Sequence, residues 1–353
     1  MSYSIRVNGR GNAWPLELGV TPNPRFSSLH KCCNEYANTS YSILASGKEI
    51  LFDIGQGVVP FLVQNGNKLP DAVILSHSHF DHISGLDWLV ASYKRNCLDK
   101  KQKEEPKLPI YASKPCFDDV LRRFGYLQNN LEFRELKYGT PQVMTEAPQI
   151  TLTAFPVFHG DFAPGAILVL AEFKLEEGAS SEKAIFTGDL LCPLLRENDY
   201  ERLQDAKVIY ADSNTRFPWP KSSHWSIAED APKDSRNPYP FTKWSQQDCP
   251  SYLVTPHARG FDLDTHLFLD QFLCEALPGK IKICWSILEF ARLVQPGNIQ
   301  VVHYSGHEDQ EYHQQAILTD DELLKWTQDA AASANLSSSI SWKVPKPGDI
   351  FTI

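Results

Sequence analysis

Apolar and polar positions alternate along this chain with two periods. Ser4-Ile5-Arg6-Val7 alternates with period two, which predicts a strand with one face buried, and Asn8-Gly9-Arg10-Gly11-Asn12 then forces a turn. Residues 41–44 and 48–52 flank a Ser46-Gly47 turn and predict a hairpin ending at Asp53-Ile54-Gly55-Gln56-Gly57. Ala72-Val73-Ile74-Leu75 is unbroken apolar, as in a strand covered on both faces. Ile83, Leu86, Leu89 and Val90 then recur at helical spacing. Further strands are predicted at 108–111, 131–136, 149–158, 166–170, 183–187, 207–210 and 299–302. Helices are predicted over 116–124, 266–277, 287–294 and 320–332, the last two capped by Ser286 and Thr319.

Three stretches interrupt this pattern. Residues 11–37, with Pro15, Pro22 and Pro24, read as a surface excursion, and 96–107 as a solvated, charged connection. Residues 212–255 combine six prolines with seven large aromatics and no period. So aromatic a stretch is expected to pack, as a flap on the core, a substrate wall, or an arm exchanged within a homodimer.

Composition adds exclusions. The 353 residues are 42% hydrophobic and 22% charged, ordinary for a globular chain with a large core. A formal charge of -9 and a pI near 5.7 argue against a general binder of nucleic acid or anionic membrane, though bound divalent cations would make a pocket locally positive. No apolar run reaches 18 residues and Met1 to Pro15 has no signal-peptide core, so a cytoplasmic protein with no membrane partner is expected. The eight cysteines lack Cys-x-x-Cys spacing and are expected to be reduced.

Chemistry concentrates in Ser76-His77-Ser78-His79-Phe80-Asp81-His82, directly after the run 72–75. In an extended segment His77 and His79 share a face, while Asp81 and His82 fall in the first turn of the following helix. That arrangement could feed two metal ions. Other apolar runs also stop at residues of ligand type: His159, Asp189, Asp212 and His303. If those strands are neighbours, their ends form one rim. Candidates spread from His77 to His303 imply a single domain over 1–353, with insertions near 96–107 and 212–255.

His-x-His-x-Asp-His resembles the signature of the metallo-β-lactamase-fold hydrolases, and residues 1–57 are similar to the opening of the ribonuclease Z-like and cyclic-phosphodiesterase branches. The resemblance implies an α/β fold, a four-layer αββα sandwich. It implies that His77, His79 and His159 hold one ion, that Asp81, His82 and His303 hold a second, and that Asp189 bridges, with Asp53 bracing the histidine loop and Asp81 also catalytic. Donors of these types suit zinc, with manganese or iron open. A hydroxide shared by two divalent ions would attack a small-molecule or nucleotide phosphodiester; thioester or lactone hydrolysis, iron oxygenase chemistry and a non-catalytic scaffold are the alternatives. One departure stands out. Ribonuclease Z places a proton-donating histidine at the start of the helix before the last ligand, where this chain has Trp285-Ser286; His307 and His257 are the replacement candidates for general acid.

Overall fold

The computed structural model describes residues 3–12, 37–99, 107–160, 162–174, 181–218, 222–230, 281–282 and 284–353. One sheet is built from β1 (Tyr3–Gly9), β2 (Ser40–Ala45), β3 (Lys48–Phe52), β4 (Ala72–Ile74), β5 (Leu108–Ala112) and β6 (Leu131–Glu135), closed by β17 (Ile350–Thr352) beside β1. Its order is β17-β1-β2-β3-β4-β5-β6, antiparallel as far as β3 and parallel beyond. The other sheet runs β11-β8-β9-β10-β13-β15-β16, with β7 (Gln142–Val143) on β8 (Ile150–Phe158). Its remaining strands are β9 (Ile167–Phe173), β10 (Glu182–Phe186), β11 (Cys192–Pro193), β13 (Val208–Asp212), β15 (Asn298–Val302) and β16 (Ser341–Lys343). A small pair, β12 (Leu195–Arg196) with β14 (Ile281–Lys282), lies outside both.

The two sheets face each other because each presents an apolar face to the other, and central strands are apolar on their outer side as well. Along β3, Ile50 and Phe52 join the cluster between the sheets, while Leu51 joins the cluster beneath the first sheet. Along β13, Val208 and Tyr210 point into the shared core and Ile209 and Ala211 point away from it. The outer face of the first sheet is covered by α1 (Val58–Gln64), α3 (Leu86–Asp99) and α4 (Lys114–Arg123). The outer face of the second is covered by α5 (Glu197–Leu203), α6 (Ile287–Val294) and α8 (Asp320–Ser333). Three apolar clusters between four layers make the αββα sandwich that the sequence implied.

Most predicted elements appear within a residue or two of their expected bounds. The helix after the histidine motif differs. It splits into α2 (Phe80–Ile83) and α3, because at Gly85 the chain presses on Ile54: the Gly85 N–H donates to the Ile54 carbonyl at 2.8 Å, and a Cβ there would lie 2.7 Å from Ile54 Cγ1. The caps are as expected: Ser286 Oγ accepts from Glu289 N, and Thr319 forms a full capping box with Glu322. Not foreseen were α1, α5 and α7 (His307–His313), nor the last two strands. The helix expected at 266–277 lies outside the described residues.

The segment after β13 is held by a buried ion pair. Arg216 Nε donates to Asp309 Oδ2 at 2.9 Å, Thr215 Oγ1 donates to Asp309 Oδ1 at 2.6 Å, and Arg216 and Asp309 are both buried. Farther on, Ser226 forms a bridge to Ser286, the Ile287 N–H donates to the Ser226 carbonyl at 3.0 Å, and Trp225 Nε1 donates to the Cys284 carbonyl. These contacts seat residues 222–228 against the start of α6.

Two substitutions test this packing. Phe186 is fully buried, with ring centroids 5.3 Å from Tyr41 and 4.8 Å from Phe52. Phe186→Ala should cost about 3–5 kcal/mol. Thr319→Ala, which removes only a cap, should cost about 1 kcal/mol. Urea unfolding should show lowered midpoints at unchanged slope and additive losses in the double variant.

Candidate metal centre

The centre forms where strands of both sheets end. Asp53 follows β3 with a left-handed φ of 54°, and its backbone N–H donates to the Ile74 carbonyl at 2.9 Å. This turns its buried carboxylate onto the histidine loop. Oδ1 accepts from Ser76 N at 2.8 Å, and Oδ2 accepts from Ser76 Oγ at 2.6 Å and from His82 Nδ1 at 2.8 Å. Ser76 Oγ, having given its proton to Asp53, accepts from His77 Nδ1 at 3.0 Å. Across the cleft, His159 Nδ1 donates to the Ser223 carbonyl at 2.8 Å.

These partners fix tautomers. With Nδ1 committed as a donor, His77 and His159 present bare Nε2 atoms inward. His77 Nε2 is buried with no hydrogen-bond partner, and His159 Nε2 lies 3.0 Å from His79 Nδ1. Burial, reinforced by neighbouring imidazoles, holds His77 and His159 well below the ordinary imidazole range, so no proton is readily held there. Donor atoms of His77, His79 and His159 all lie within 4.8 Å of one another.

The second group is Asp81, His82, Asp189 and His303, again within 4.8 Å. Asp189 Oδ2 is its centre: 3.1 Å from His82 Nε2, 3.1 Å from His303 Nε2, and 3.9 Å from both His77 Nε2 and His159 Nε2. Burial opposes a charge on Asp189, yet His303 and His82 hold its carboxyl well below the usual range. Asp81 Oδ2 lies 3.3 Å from His82 Nε2 and 3.6 Å from His303 Nε2. Reaching Asp189 requires close approach of the sheets: a Cβ on Gly188, whose φ is 58°, would stand 2.7 Å from Ser76 Cβ. The Ile167 N–H also donates to the Ser76 carbonyl. His303, with φ 64°, is turned inward while its N–H donates to the Arg10 carbonyl at 3.0 Å.

The donor set fits divalent cations. The His159 and His79 ring nitrogens meet at 3.0 Å, His77 Nε2 and both ring nitrogens of His303 are buried without an aligned hydrogen bond, and carboxylates stand among them. Such an array is repulsive or unsatisfied until positive charge sits within it.

All seven residues expected as ligands are brought together in these two groups. Two further residues join them. His224 Nδ1 donates to Asp212 Oδ2 at 2.9 Å, its ring stacks on His303 at 4.9 Å and meets His159 edge-on at 4.8 Å, and Asp189, Asp212, His224 and His303 form a third close group. Burial disfavours a charge on His224, but Asp212, Asp189 and Glu308 outweigh it and push its pKa up to about 10. Asp212 had been visible as a strand end. His224 was missed, because its signal is spatial: it sits two residues before Ser226, which bridges to Ser286 at the start of the helix preceding His303. His307 opens α7 outside all three groups, and His257 lies outside the described residues.

Comparison with known proteins agrees with this architecture. The profile of the beta-lactamase superfamily domain matches residues 49–231. A ribonuclease Z of Bradyrhizobium diazoefficiens is 30% identical over 125 residues, a stretch covering 33% of this chain and 38% of that protein. Among solved structures, a diphosphatase of the PhnP family superposes with a TM-score of 0.59 at 14% identity, covering 100% of this chain and 98% of that one. The metallo-β-lactamase fold protein YhfI from Bacillus subtilis gives 0.58 at 14% identity with full coverage of both. Zn(2+)-bound PqqB from Methylobacterium extorquens gives 0.53 at 9% identity, with 99% of each covered. With its profile match spanning just over half of the sequence and its sheets, helices and strand-end cluster arranged as described, the chain belongs to the beta-lactamase superfamily and has the metallo-β-lactamase fold.

Proposed function

We propose that this protein is a metal-dependent phosphodiester hydrolase. The observation that carries this reading is the convergence of imidazole nitrogens from His77, His82, His159 and His303 on Asp189 Oδ2. In this reading His77, His79 and His159 hold one divalent cation, Asp81, His82 and His303 hold a second, and Asp189 lies between them; the donors suit zinc, and manganese or iron can take the same set. Cations bound there would make water ionisable near neutral pH and take up charge on the attacked group. Similarity to a protein named ribonuclease Z supports phosphorus over carbon as that centre.

The chain's own residues supply the rest. Asp53 fixes the ring of His82 directly and that of His77 through Ser76, so these ligands are oriented before any cation arrives. Asp81 adds charge on the side of His303. We assign the proton for the leaving group to His224, in place of His307 or His257. Asp212 holds its Nδ1, and a general acid must touch substrate: His224 and His79 are the imidazoles of the three groups that are not fully buried.

Purified protein loaded with zinc, manganese or iron should hydrolyse an aryl phosphodiester. Turnover confined to a thioester or lactone, with no phosphodiester cleaved under any metal, would reassign it to acyl hydrolysis. Elemental analysis should find two ions per chain in the wild type and at most one tightly held in Asp189→Ala, because neighbouring cations deprived of their shared anion repel. His224→Ala should slow an alkoxide leaving group by about 10²- to 10⁴-fold and a nitrophenolate far less, since the latter departs without a proton. Equal losses on both substrates at unchanged metal content would make His224 a positioning residue.

A further inference from the structure

Two phenylalanines flank the imidazole cluster and face water. Phe80 is 66% exposed and Phe162 is 80% exposed, and no other phenylalanine among the described residues is exposed. Phe80 directly follows His79, and Phe162 is three residues beyond His159, at most about 11 Å of extended chain away. His79 and His159 themselves touch, with ring centroids 4.7 Å apart. Both exposed rings therefore lie within reach of whatever is attached to a group held at those histidines.

Neither ring rides on a loose loop. Phe80 opens α2, where the Ser84 N–H donates to the Phe80 carbonyl at 2.9 Å and His82 is tied to Asp53. Phe162 projects from a turn pinned on its far side. Ala163 is buried in the outer core, the Ala166 N–H returns to the Ala163 carbonyl, and the Gly165 carbonyl accepts from Ser113 Oγ at 2.5 Å. Gly165 is packed so closely, at φ 71°, that a Cβ would lie 2.4 Å from Ser113 Oγ. An exposed aromatic ring on an anchored backbone contributes little to folding while it stays in water, but its face is open to a flat partner. Nucleobases are such partners, because every base offers a π-face whatever its hydrogen-bonding edge.

We propose that Phe80 and Phe162 are stacking platforms that select a phosphodiester carrying a nucleoside, an inference that rests on the phosphodiesterase reading above. The rings act on substrate binding and leave the cation donors untouched.

The test compares two substrates with the same strained phosphodiester: the vicinal cyclic phosphate of adenosine and the cyclic phosphate of glycerol, which has no base. Turnover is followed by phosphorus NMR with the metal-loaded full chain. Wild type should favour the nucleoside in kcat/KM, and Phe80→Ala and Phe162→Ala should each reduce that preference by about tenfold, within the range for one stacked base. Tyrosine at either position should preserve it. Phe80→Leu, which keeps apolar bulk without a π-face, should lose it at unchanged metal content. An unchanged preference in the alanine and leucine variants would overturn the proposal. If wild type cleaves neither compound, the aryl phosphodiester assay decides the phosphodiesterase reading by itself, and calorimetric titration with adenosine monophosphate decides the platforms. About tenfold weaker binding in each alanine variant upholds them, and an unaltered Kd removes them.

Discussion

A carboxylate can fix several donors at once, and Asp53 does this at the back of the centre. Its two oxygens take a backbone N–H, a serine hydroxyl and an imidazole N–H, and through that serine they also set the ring of His77. The consequence is chemical as well as mechanical. Committing the Nδ1 protons leaves the Nε2 lone pairs with nowhere to point but inward. Burial raises the pKa of Asp53, and the contacts from His82 and Ser76 oppose that rise. The left-handed backbone at Asp53 is thus held by interactions on both sides of it, as strained positions at functional sites generally are.

The same logic extends to the second sheet through contacts that only a close approach allows. Gly188 admits the Ser76 side chain, the Ser76 carbonyl accepts from Ile167, and Asp189 arrives next to His82. Each sheet alone would present half of a donor set. Packing of Phe52 on Phe186, and of Tyr41 on Phe186 and Tyr210, fixes the spacing at which the halves meet, so the aromatic core and the centre are parts of one construction.

Much of this was legible in the sequence, for local reasons. Period-two and unbroken apolar runs located the main strands, and Ser286 and Thr319 announced their helices because capping is a matter of a few adjacent residues. The seven clustered ligand-type residues were legible because each sits in the histidine motif or where an apolar run stops, and a strand end in a layered sheet is a position in space. What could not be read depended on distant partners. α1 and α5 are seven residues each, too short for periodicity to stand out. β17 is a strand because β1 is beside it, with Ser4 paired to Thr352. His224 lies in an aperiodic, proline-rich stretch, and its stacking on His303 is supported by long-range contacts of Trp225 and Ser226 with residues 284–287.

The bridge between Ser226 and Ser286 separates two design problems. Residues 226 and 286 are pinned side by side, so the two ends of the intervening sequence are held together, and the entropy of closing it is offset by local contacts of Ser226, Trp225 and Cys284. For a stretch joined at its ends in this way, the free energy of closure grows only slowly with length. His224 and Asp212 both precede that junction in the chain, so the hydrogen bond between them is made without any residue from the stretch between the two serines.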